Sequence, residues 1–159
     1  MPYRTLHATG LLLTALVMGV FWGTWFTLTR SLDTFEAPAF LQIGHTIIAN
    51  VAGPMRVLMP ATLLVMLWCL WVYPVKRSSN YILLVIAVAL MVVTLLITLL
   101  VEVPMDDMIR TWTVANIPAD WTDHRAVWAR FHTLRTFTSI ASLAAFIWSW
   151  PRTARAVAR

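Results

Sequence analysis

Between Trp121 and Ser149 the chain places Trp121, Arg125, Trp128, His132, Arg135, Ser139, Ser142, Phe146 and Ser149 at alternating steps of four and three. On a helix of 3.6 residues per turn that spacing gathers them onto one stripe, the seam by which a helix packs on its neighbours. Indole, imidazole and guanidinium on a shared edge can do three things. They can snorkel to lipid headgroups, join an ion-pair network with Glu102, Asp106 or Asp107, or line a site that handles a substrate. Turned toward lipid, Arg and His would be costly; turned inward, they can find partners and water. The stripe is therefore expected to face other helices.

The elements that must hold this stripe are membrane helices. Of 159 residues, 60% are hydrophobic and 12% charged, where an average soluble domain carries roughly 25% charged residues. So little polar surface cannot coat a water-soluble globule, and the composition equally excludes disorder. The net charge is +5, but no dense basic run points to nucleic acid. Cys69 stands alone, which rules out an internal disulfide or a multi-cysteine metal centre. A hydrocarbon layer about 30 Å thick needs roughly 20 apolar helical residues, and four runs approach that length: 5–29, 57–75, 80–101 and 131–150. None alternates as a barrel strand would. The first lacks an A-x-A cleavage site and reads as an uncleaved helix. The fourth draws His132 and Arg135 into, or just under, the membrane surface. The expected fold is all-α: one integral membrane domain, a four-helix bundle with a small extramembrane helical cap on one face.

That cap is assigned to residues 31–56 and 102–130. In the first, Pro38 suits the start of a short helix that Gly53–Pro54 stops. In the second, Pro104 opens a helix, Asp106 and Arg110 stand one turn apart, and Asp120 and Asp123 can cap and charge the start of the last helix. The connection from Pro74 to Asn80 is a short polar hairpin. An even number of crossings puts both termini on one side with Arg4, Lys76, Arg77, Arg152, Arg155 and Arg159. Arg30, Arg56, Arg110, Arg125, Arg130 and Arg135 occupy the other side, so the positive-inside count is a tie. All the acids share that second side, and the bare basic clusters beside the termini favour cytoplasmic ends. With 11 Arg against one Lys, the composition suggests a bacterial cytoplasmic membrane. Ala15, Gly19 and Gly23 form a small-residue ridge suited to close helix contact, within the bundle or between copies in a homo-oligomer.

The pattern Val103-Pro104-Met105, Trp112, Pro118-x-Asp120-Trp121 and Arg125-x-x-Trp128-x-x-x-His132-x-x-Arg135 resembles the DUF1772 membrane family, also called anthrone-oxygenase-like. Phe21-x-Gly23 and the stretch from Phe40 to His45 fit it more loosely, and the family often has Asn where this chain has Asp106. The resemblance implies a helical membrane fold. For some fungal members it also implies oxygenation of anthrones to anthraquinones.

Three function classes follow. The first is binding of a hydrophobic ligand (a lipid, a quinone or a polycyclic phenol) beneath the cap by a protein without catalysis. The second is an oxygenase for a flat phenolic substrate, with His132 as base, Arg135 as partner to the developing oxyanion, and Trp128 and Trp121 as stacking walls. The third is a metal or haem protein, since imidazole and carboxylate at His45, Glu102, Asp106 and His132 suit iron, copper or zinc. The sequence contains no H-E-x-x-H and no C-x-x-C-H. No cofactor is specified by any motif. The candidate site comprises His132 and Arg135 as catalytic residues and His45, Asp106, Trp121, Arg125 and Trp128 as ligand-binding residues.

Overall fold

The computed structural model describes residues 2–150, and the C-terminal cluster Arg152, Arg155 and Arg159 lies outside them. Five α-helices account for the fold: α1 (Tyr3–Thr27), α2 (Ala37–Trp71), α3 (Ser79–Ile97), α4 (Val103–Ile109) and α5 (Trp121–Trp148). A 3-10 turn, Thr29–Thr34, follows α1, and one π turn, Thr98–Glu102, joins α3 to α4. No strand occurs among the described residues. The segments Tyr3–Thr34, Ala37–Trp71 and Ser79–Ile109 are long and apolar enough to cross a membrane. Helix α5 has the length, about 42 Å for 28 residues, but carries the polar stripe. It packs mainly on α3 and α1, while α2 packs on α1 and α3. The four long helices thus close a ring, a membrane bundle.

The stripe on α5 is turned inward: Trp128, His132, Arg135, Ser139, Ser142, Phe146 and Ser149 are all buried. Below Arg135 its hydroxyls are satisfied locally or across the bundle. Ser139 donates to the Thr136 carbonyl at 2.7 Å and Ser142 to the Ala87 carbonyl of α3 at 2.8 Å. At the foot of the bundle, Ser149 meets His7 Nε2 at 3.0 Å and the Tyr73 hydroxyl donates to the Ser149 carbonyl, which ties the start of α1 and the end of α5 to the α2–α3 hairpin. Ser78 caps α3 by accepting the Tyr81 N–H at 3.2 Å.

Several local expectations are corrected. Gly53–Pro54 does not stop a short helix; α2 runs 35 residues through both Pro54 and Pro60. A proline inside a helix loses one hydrogen bond, but buried Met55, Met59 and Met66 lock this one onto its neighbours. Span two and the first cap segment are therefore one rod, which ends at Trp71 rather than 75. Arg110 pairs with Asp107 at 3.1 Å rather than with Asp106. Asp120 sits at the N-cap of α5 without a capping bond, its carboxylate lying 3.6 Å from His124 instead. Within the bundle the small-residue ridge makes no close helix contact at Gly19 or Gly23, where a Cβ would meet no atom of another described element within 4 Å.

The upper end of the bundle has its own apolar cluster. Leu32, Phe40, Leu41, Ile48, Ile109, Trp112 and Trp128 are buried together, with Trp121 and Phe35 packed against them. This lid fixes the start of α5 over the ends of α2 and α4.

Candidate functional site

Pro104 has no N–H to return to the preceding turn, so the α-helical ladder of α3 cannot continue through it. The chain widens instead into the π turn, in which the Val103 N–H reaches back five residues to the Thr98 carbonyl. Glu102, the last residue of that turn, is completely buried. Single π turns occur often at functional sites. Here the turn brings a carboxylate against α5.

Facing it is Arg135, 8% exposed. Its Nη2 lies 2.9 Å from Glu102 Oε2, yet neither Glu102 oxygen receives an aligned hydrogen bond. The two groups touch without the fork geometry that strengthens Arg–carboxylate pairs. The better-formed bonds of Arg135 go to His132: Nε and Nη2 both donate to Nδ1, at 3.2 and 2.8 Å. A guanidinium only donates, so Nδ1 carries no proton, and Nε2 is the N–H that donates to the Phe21 carbonyl at 3.2 Å. His132 is therefore held neutral, in one tautomer, with both nitrogens engaged. The imidazole lies flat on the Trp128 indole (4.8 Å between centroids, 10° between planes). Trp128 in turn donates its N–H to Asp106 Oδ1 at 3.1 Å. The Phe21 ring closes the far side, 4.6 Å from the guanidinium carbon.

Trp128, His132, Arg135 and Asp106 line one cavity of about 230 Å3, larger than the roughly 150 Å3 that admits a benzene ring. Its other walls are mostly apolar: Val20 and Phe21 of α1, Ile48, Val51, Met55 and Met59 of α2, Leu95 of α3 and Leu99 of the π turn. Arg56, Asp107 and Arg110, all exposed, stand at its rim. An apolar chamber with a few convergent polar groups is the common form of a small-molecule site. A smaller void of about 30 Å3 lies on the other side of Trp128 and Asp106, under the lid.

The remaining sequence-derived residues are placed elsewhere. His45 Nε2 donates to the Ile109 carbonyl at 2.9 Å, fastening α2 to α4. Arg125 lies over the Trp121 ring at 4.7 Å and donates to the Phe35 carbonyl at 2.8 Å, and Trp121 packs on Phe40. These three hold the lid and do not line the cavity. Among the described residues no three His, Cys, Asp or Glu side chains converge as metal ligands; His45 and His132 stand in separate surroundings. One contributor escapes the sequence reading, the Phe21 carbonyl, which no side-chain pattern announces. Glu102, expected as an ion-pair partner of the stripe, does meet Arg135 but stands outside the candidate site residues. A lone acid at the end of the most apolar run, two residues before a proline, is the signal that could have promoted Glu102.

No curated protein and no solved structure matches the chain. A family model described as anthrone oxygenase matches residues 49–145, well over half the chain. The matched segment takes in most of α2, all of α3, the π turn, α4, and α5 through the Trp128–His132–Arg135 face. This helical membrane protein belongs to the anthrone oxygenase family.

Proposed function

We propose that the cavity receives a flat polycyclic carbon acid of the anthrone type and that the chain promotes its oxidation by dioxygen. The observation that carries this reading is the placement of Arg135, a buried cation among mostly apolar walls, beside the stacked Trp128 and His132 rings. An anthrone has a ring methylene opposite a carbonyl. Loss of one methylene proton gives an enolate whose charge sits largely on oxygen, where Arg135 can hold it. The electron-rich ring carbon then reduces dioxygen and forms a C–O bond. Protonation gives a hydroperoxide, and loss of water gives the ketone. One methylene and one dioxygen become one ketone and one water.

The geometry supports a different role for His132 from that of base. With Nδ1 accepting from Arg135 and Nε2 donating to Phe21, it positions the guanidinium. Trp128, fixed by Asp106, supplies the stacking wall.

A second reading, retention of a quinone or lipid without chemistry, is favoured by Leu99 of the π turn, 53% exposed yet lining the cavity. It offers lateral entry from the bilayer. In either reading the chain sits in a bacterial cytoplasmic membrane with Arg4, Lys76 and Arg77 on the cytoplasmic side.

Anthrone oxidation by the full chain in lipid nanodiscs, followed by quinone absorbance, separates the two. Arg135→Ala is expected to lower the rate by about 100- to 1,000-fold, the loss typical of removing one oxyanion partner. Oxidation by the wild type no faster than in empty nanodiscs would overturn the enzyme reading and leave the binding one, and an unchanged rate in a folded Arg135→Ala protein would overturn the role given to Arg135.

A further inference from the structure

Glu102 is the group whose state makes least sense in the resting site. It is fully buried, touches a cation at 2.9 Å, and has no aligned hydrogen bond to either oxygen. A buried carboxylate with a single misaligned partner is a costly charge. The charged groups around it are few. Arg135 faces it from α5, with neutral His132 behind. Asp106 follows one turn on and is bonded to Trp128; α1 presents the Phe21 ring; α2 contributes Arg56 at the cavity rim. Glu102 does not line the cavity, whereas Arg135 does. The guanidinium thus stands between the chamber and its own counter-ion.

We infer that Glu102 is the internal acceptor of the ligand's acidic proton, and that the cavity selects neutral weak oxygen acids (phenols or enols) over permanent anions. This rests on the ligand-binding reading above. In the exchange, Arg135 first turns from the carboxylate to the ligand oxygen and so opens Glu102 to the chamber. The ligand O–H bond then breaks, its proton ends on Glu102, and Arg135 donates to the new phenolate or enolate oxygen. One carboxylate and one phenol become one carboxylic acid and one phenolate, so the buried charge is unchanged. A neutral acid enters without bringing net charge into the membrane. A permanent anion would meet Glu102 still ionised, a like-charge juxtaposition that costs several kcal/mol.

The test uses the full chain in nanodiscs at neutral pH with 2-naphthol, 2-methoxynaphthalene and 2-naphthalenesulfonate. Absorbance reports whether bound naphthol is the anion. Calorimetry in two buffers of different ionisation enthalpy reports protons released. In the wild type, naphthol is expected to bind as its anion with no proton delivered to buffer. The methyl ether should bind roughly 10- to 100-fold more weakly, the worth of a charge-assisted hydrogen bond. In Glu102→Gln the proton should appear in the buffer, and sulfonate affinity should rise on the order of 100-fold. Glu102→Asp should restore the wild-type balance.

Naphthol bound as the neutral phenol, or bound as the anion with a proton released by the wild type, overturns the role of Glu102. Either wild-type result does so without any variant. If anthrone is still oxidised in that case, the ligand-binding reading survives. If naphthol, ether and sulfonate all fail to bind, both proposals fall.

Discussion

Removing Arg135 while keeping Glu102 tests whether the buried contact is an ion pair. The two charges are 2.9 Å apart, and their side chains are 9% and 0% exposed. At an effective dielectric constant of about 20 that separation corresponds to roughly 6 kcal/mol of attraction. Desolvation of both groups cancels much of it. Arg135→Met leaves Glu102 buried with no counter-charge, for which the expected loss is about 3–5 kcal/mol. Arg135→Met combined with Glu102→Leu removes both charges and fills the space with apolar atoms, so most of that loss should return. Reversible unfolding of each protein in mixed micelles, followed by circular dichroism, gives the two free energies. The single variant must fall well below the double one. If Arg135→Met costs under about 1 kcal/mol, or if the double variant is no more stable than the single, the pair is not the charge balance described here.

Two further substitutions probe the scaffold. A Cβ on Gly10 would lie 2.8 Å from Cε1 and Cζ of the fully buried Phe146 and 3.3 Å from Val65, so Gly10→Ala should cost about 1–3 kcal/mol in the same unfolding assay. Pro104→Ala returns an N–H to the widened turn; amides of residues 98–104 should gain hydrogen-exchange protection while anthrone oxidation falls, because the turn that presents Glu102 reverts to ordinary helix.

The sequence carries the bundle and its polar seam in plain form, because a stripe of four-and-three spacing has one geometric meaning on a helix. Trp128, His132, Arg135 and Asp106 come to one cavity through that seam and the helix opened by Pro104. What misleads is proline. Pro38 and Pro104 stand at helix starts, while Pro54 and Pro60 lie inside one. Local chemistry is similar in all four cases, and only packing against buried methionines decides it. His45, Trp121 and Arg125 share the residue types of a site and the neighbourhood of one. Whether such side chains reach a cavity or a carbonyl depends on how the lid folds over, and a one-dimensional pattern does not contain that. Glu102 is legible as an ion-pair partner of the stripe, but its place is not, for a third reason: a π turn departs from the 3.6-residue period on which face assignments rest.

The stripe on α5 also divides by depth, and the division bears on what the upper part is for. Ser139, Ser142 and Thr136 are buried, but each donates to a backbone carbonyl, so they add no unanswered charge to the bundle. One turn above, Arg135 and Glu102 are buried with poor mutual geometry. Apolar pairs of the same volume generally hold a fold about as well. Stability is thus a sufficient account of the lower stripe and not of the upper one. The upper pair adjoins the cavity, on the cavity's polar side, with His132 and Trp128 braced by Phe21 and Asp106 to hold it there. A charge that the fold does not need, held at the edge of a space that the fold leaves open, is best explained by what enters that space.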